Sequence, residues 1–144
     1  MSESVSPQER YKMIARWFEQ LTLKSLDTID TIYSPSAAFS DPFNDVVGID
    51  RVKAVYAHMF ATLDNPRFVL DRILTEDMSA FVLWTFEFQL SGQSHRIAGV
   101  THFELDDHGL VTLHRDYWDA AKQVYEKVPL LGPVLRWLRK RMSA

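Results

Sequence analysis

Ile14, Trp17, Phe18 and Leu21 recur at helical spacing, so the first ordered segment reads as a helix with one buried stripe. Ser6-Pro7-Gln8-Glu9 supplies its start: a capping box with proline at the first helical position. Leu26, Ile29, Ile32 and Tyr33 predict a second, short helix over Ser25 to Tyr33, ended by Ser34-Pro35-Ser36. Ala37 to Asp41 reads as a short extended piece, because Pro42 disfavours helix at the residue before it. A third helix follows Gly48, over Ile49 to Thr62, with Val52, Val55, Tyr56, Met59 and Phe60 on its apolar face. Beyond the break at Asn65-Pro66 the period changes to two. Strands are expected over Phe68 to Thr75, Ala80 to Leu90, Ser94 to Leu105 and Leu110 to Trp118. Ser91-Gly92-Gln93 and Asp106-Asp107-His108-Gly109 read as hairpin turns. Helices gather early and antiparallel strands late, which is an α+β order rather than alternating βαβ units.

The tail breaks this pattern. Asp119 is placed to cap a helix over Ala120 to Val128, interrupted by Pro129, Gly132 and Pro133. From Leu130 the chain turns amphipathic: Leu131, Val134, Leu135, Leu138 and Met142 share one side, with Arg136, Arg139 and Lys140 roughly opposite. Three readings stand for it: a helix packed on the domain, a helix docked on a partner subunit, or peripheral membrane contact through Leu131, Leu135, Arg136, Leu138, Arg139 and Lys140. The expected organisation is a disordered N-terminus over 1–6, one domain over 7–120 and a C-terminal helical extension over 121–144.

A chain of 144 residues with 47% hydrophobic content suits one domain with a sizeable core. The net charge of −3 gives no cationic signal for nucleic acid. With no cysteine, thiol nucleophiles, disulfides and Cys-based zinc sites are excluded. The start MSESVSPQER does not read as a secretory signal and no apolar run approaches a membrane span, so a cytoplasmic protein is expected. There is no Gly-rich phosphate loop and no HExxH-like spacing, so neither a cofactor nor a metal is expected.

Strand parity nominates the chemistry. Arg96, Ala98, Val100, His102 and Glu104 fall on one face of their strand. Thr112, His114, Asp116 and Trp118 fall together on the last. If these two faces meet on one concave surface, His102 and Asp116 form an imidazole–carboxylate pair in a mostly aromatic cavity. A carboxylate in apolar surroundings is pushed toward a useful base, and a histidine exchanges protons near neutrality. Trp17, Tyr56, Trp84, Ala98, His114 and Trp118 are candidates for the pocket wall. Asp41 has two readings: a pocket base, or a turn former whose carboxylate accepts backbone N–H bonds.

FSDPFNDVVG at Phe39 to Gly48, ARWFEQL at Ala15 to Leu21, FELDDHGLV at Phe103 to Val111 and RDYWD at Arg115 to Asp119 together resemble the nuclear-transport-factor-2-like superfamily. That group includes ketosteroid isomerases and SnoaL-like polyketide cyclases. The resemblance implies a cone-shaped, curved antiparallel sheet wrapped around N-terminal helices, a deep pocket and a homodimer, with the C-terminal amphipathic helix as an addition. In ketosteroid isomerase the acid before proline moves the substrate proton, and Asp41 matches that position. The isomerase's tyrosine and protonated aspartate fall on Trp17 and Ala98, neither of which can donate an O–H. The SnoaL-like comparison places acid–base work on Asp116 of the last strand, with His102 nearby. The implied function is proton transfer on a small hydrophobic substrate, as in isomerisation, cyclisation or dehydration. The alternative is a non-catalytic module for hydrophobic-ligand binding or dimerisation.

Overall fold

The structure, a computed structural model, describes residues 5–119. The amphipathic tail, with Leu131, Leu135, Arg136, Leu138, Arg139 and Lys140, lies outside them, as does most of the expected disordered N-terminus. Helix α1 spans Pro7–Glu19 and starts as the capping box requires: Ser6 Oγ accepts the Glu9 N–H at 3.2 Å. Its buried stripe is Tyr11, Ile14, Ala15 and Phe18. A 3₁₀ helix follows over Lys24–Thr31, kinked at Thr28. Strand β1 (Tyr33–Ser40) runs through Ser34-Pro35-Ser36, which marks the helix end while remaining extended. Strand β2 (Asp45–Val47) turns back on it antiparallel, a short pairing absent from the expected elements. Helix α2 spans Ile49–Thr62.

Strands β3 (Asp64–Glu76), β4 (Ser79–Leu90), β5 (Gln93–Leu105) and β6 (Val111–Tyr117) complete an open six-stranded sheet of order β2-β1-β6-β5-β4-β3. All its pairings are antiparallel except β1 with β6. Asn65-Pro66 sits inside β3, where an edge strand tolerates the missing N–H. Register shifts between Tyr33 and Ala38 in β1, and between Leu70 and Arg72 in β3, are the irregularities that bend strands. Ser91 and Gly92 both take positive φ, 52° and 77°, in the tight β4–β5 hairpin.

One face of the sheet meets the helices. It contributes Val82 and Trp84 from β4, Ile97, Thr101 and Phe103 from β5, and His114 from β6, all buried. Tyr11 ties α1 to this layer, its hydroxyl donating to the Met78 carbonyl at 2.6 Å and lying 3.2 Å from that of Phe103. Among the described residues no helix is long and apolar enough to cross a membrane.

Candidate functional site

The β5–β6 register decides which side chains meet. Thr101 lies opposite Asp116, Phe103 opposite His114, and His102 opposite Arg115. Asp116 therefore shares the helix-facing side with Thr101 and His114. His102 points to the outer face, stacked on Phe81 with ring centroids 4.9 Å apart, its Nε2 2.9 Å from Glu104 Oε1. The expected pairing of His102 with Asp116 is thus corrected: one residue of register separates the two faces of a strand. The more apolar parity of β5, through Ile97, Thr101 and Phe103, is the buried one. Ala98 also belongs to the outer face, in a groove with Val69, Leu83, Val100 and Tyr117. Trp17 lies beside the core, its Nε1 donating to Thr28 Oγ1 at 3.1 Å, and does not line the cavity described next.

A cavity of 360 Å³ opens between α2, the β1–β2 turn and the strands. Its walls are mainly aromatic and aliphatic, including Phe39, Phe68, Trp84, Phe86, Phe88, Ile97 and Trp118. Asp41, Tyr56, His58 and Asp116 bring its ionisable groups, and no lysine or arginine is among the described lining residues. Tyr56, Trp84 and Trp118 are among the residues that line it. A smaller void of 30 Å³ lies deeper, lined by Phe18, Tyr56, Trp84, Thr101, His114 and Asp116 among others.

Asp116 is the centre of a buried polar chain. His114 Nε2 lies 2.8 Å from Asp116 Oδ1, and Thr101 Oγ1 donates to the same oxygen. Trp84 Nε1 donates to Thr101 Oγ1 at 2.7 Å. On its other side His114 Nδ1 lies 2.6 Å from the Tyr33 hydroxyl, which lies 2.8 Å from that of Tyr56. Burial raises the pKa of both tyrosines well above its ordinary value, so both keep their protons. The Asp116 side chain is 15% exposed. Among the described residues its Oδ2 has no hydrogen-bond partner, and no side-chain oxygen of theirs without a partner is fully buried, so Oδ2 is left for a cavity occupant. Trp84 lies flat because Gly99 opposes it: a Cβ there would fall 2.4 Å from the indole.

Asp41 forms a turn at the edge of the cavity. Its Oδ1 accepts the Phe43 and Asn44 N–H groups at 2.8 and 2.6 Å, as an aspartate before a turn does. It also lines the cavity with Asp116. Burial raises its pKa; the bonds from Phe43 and Asn44 oppose the rise, and the nearby Asp116 charge adds to it. Tyr33 and Thr101 were not anticipated. Thr101 was legible from β5 parity once the more apolar face is taken as inner. Tyr33 was read as the end of a helix, and only the β1–β6 pairing brings it to His114. Among the described residues no group of three His, Asp or Glu side chains is placed to hold a metal ion.

A half-open sheet around two helices, with a polar chain ending at an aromatic cavity, defines an α+β pocket protein of the nuclear-transport-factor-2-like class. Residues 14–114 match the model of the SnoaL-like domain, and the chain belongs to that family. No curated protein sequence matches it. Among solved structures, an LEH-like epoxide hydrolase of M. tuberculosis is similar, with TM-score 0.73 and 19% identity, over 94% of this chain and 97% of that one. A protein described as a SnoaL-like polyketide cyclase from Jannaschia sp. gives 0.72 and 19%, over 87% and 95%. A ketosteroid isomerase-like fold from Catenulispora acidiphila, in complex with trimethylamine, gives 0.67 and 12%, over 83% and 91%. At these identities the likeness is one of fold.

Proposed function

We propose that the protein is an enzyme of proton transfer on a small hydrophobic substrate, with Asp116 as the base. The observation that carries this is Oδ2 of Asp116. Its sister oxygen is held by His114 and Thr101, so the carboxylate is oriented while Oδ2 stays available in an aromatic cavity. A substrate C–H or O–H proton passes to Oδ2, and the electron pair left behind moves toward an electronegative atom of the substrate. Asp41 is the second acid–base group. Burial raises its pKa, which brings its carboxyl toward proton exchange with that atom on the same cavity. The relatives support the class, since their names include a cyclase and a hydrolase. His102 has no part in this chemistry.

Nitrobenzisoxazole tests the reading without knowledge of the natural substrate. Removal of its one acidic C–H proton breaks the N–O bond and releases a coloured cyanophenolate. Wild-type protein should turn it over saturably and faster than equimolar acetate, and His102→Ala should do the same. Turnover no faster than acetate would leave the alternative, a module that only binds a hydrophobic ligand.

Self-association is a second reading, supported by a separate observation. On the outer sheet face Val69, Leu74, Phe81 and Tyr117 are each 41–52% exposed. Such a patch fits a second copy of the chain, as a homodimer.

A further inference from the structure

The polar chain through Asp116 has a direction, and that direction assigns a role to a residue that does not touch the cavity. At one end stands Trp84 Nε1, which can only donate. Thr101 Oγ1 accepts that proton, so its own proton goes to Asp116 Oδ1. Oδ1 is then an acceptor for Thr101 and meets His114 Nε2 at 2.8 Å. A bare Nε2 facing it would set lone pair against lone pair, so Nε2 carries a proton. In a neutral imidazole the other nitrogen is then an acceptor. The group that faces Nδ1 is the Tyr33 hydroxyl at 2.6 Å, so Tyr33 donates to His114, and its oxygen accepts the Tyr56 proton at 2.8 Å.

The surroundings keep the ring from finding another partner. His114 is 4% exposed. Phe18 packs on it from α1, Phe39 and Tyr33 from β1 and Phe103 from β5; the Tyr33 ring lies parallel to it at 15°. Tyr56 reaches it only through Tyr33, from α2. Among the described residues the charged group in contact with the ring is Asp116, and Asp41 lies beyond on the same cavity.

We propose that Tyr33 is a positioning residue that locks His114 in its Nε2–H tautomer and thereby holds Asp116 as an oriented, ionised base. This rests on the role of Asp116 given above, but its first test does not need turnover. In the long-range ¹H–¹⁵N spectrum of ¹⁵N-labelled protein at neutral pH, His114 should show a protonated Nε2 and a bare Nδ1. Tyr56→Phe keeps the Tyr33 donor and should keep that pattern. Tyr33→Phe removes the donor, so the ring should sample the Nδ1–H form. A bare Nε2 then faces the carboxylate and makes ionisation less favourable. The acid limb of the pH profile of kcat/KM for nitrobenzisoxazole should move to higher pH, with a loss of about tenfold or more near neutrality. An Nδ1–H or doubly protonated His114 in the wild type would overturn the proposal. So would a Tyr33→Phe protein with unchanged tautomer and unchanged acid limb. If Tyr33→Phe does not fold, the wild-type spectrum decides. If the tautomer is as stated but no turnover is found, the lock stands and the assignment of Asp116 as a base fails.

Discussion

Asp41 shows how one side chain serves a turn and a cavity together. The turn is local: proline at 42 extends the backbone at Asp41, and two amide N–H groups then fall within reach of Oδ1. The cavity is tertiary and raises the carboxyl pKa through burial. The sign of the consequence is definite. Above the ordinary value of 3.8 the folded state holds a proton that the unfolded chain has lost, so stability falls as pH rises through this window toward the raised folded value. Asp41→Asn keeps the Oδ1 acceptor and removes the titration. The difference in urea midpoint between wild type and Asp41→Asn should therefore change across that window, and a constant difference would contradict the assignment. The same variant retains a donor at the cavity, so its kcat/KM for nitrobenzisoxazole should fall by only about tenfold, less than for loss of the base. From the sequence, Asp41 and Asp116 were both legible as candidates. His102 was misplaced because alternation names two faces without saying which one the helices cover.

At the scale of elements, the site is held by contacts between strands. Trp84 crosses from β4 to Thr101 on β5 over the bare Gly99, and Asp116 on β6 receives the Thr101 hydroxyl. Gly99→Ala would push a methyl into the indole at 2.4 Å. The expected cost is about 1–3 kcal/mol from overpacking, read from equilibrium denaturation. A variant as stable as wild type would show that the indole can shift without cost. Helix α1 offers a simpler case: Ser6→Ala removes the Oγ acceptor for the Glu9 N–H and should cost about 1 kcal/mol. The helices α1 and α2 were legible because capping and apolar spacing are local signals. Strand β2 and the passage of β1 through Pro35 were not. Three residues of β2 carry no periodicity, and only pairing with β1 makes them a strand.

For the whole molecule, the order of helices followed by long strands predicted the α+β architecture. The parallel β1–β6 contact is what brings Tyr33 to His114 and closes the polar chain, and no sequence pattern announces a pairing between segments so far apart. The outer face gives a prediction at this scale. Phe81, stacked on His102 and half exposed, lies within the apolar patch assigned to self-association. Sedimentation should find a dimer for wild-type protein and a shift toward monomer for Phe81→Lys; equal mass for both would remove this face as the interface. The inner face carries the central claim, that Asp116 is a base oriented by the chain behind it. The most direct measurement is kcat/KM for nitrobenzisoxazole in wild-type and Asp116→Asn proteins at neutral pH. The asparagine should lower it by about 10²–10⁴-fold while leaving the fold intact by circular dichroism. A folded Asp116→Asn protein within twofold of wild type would contradict the assignment.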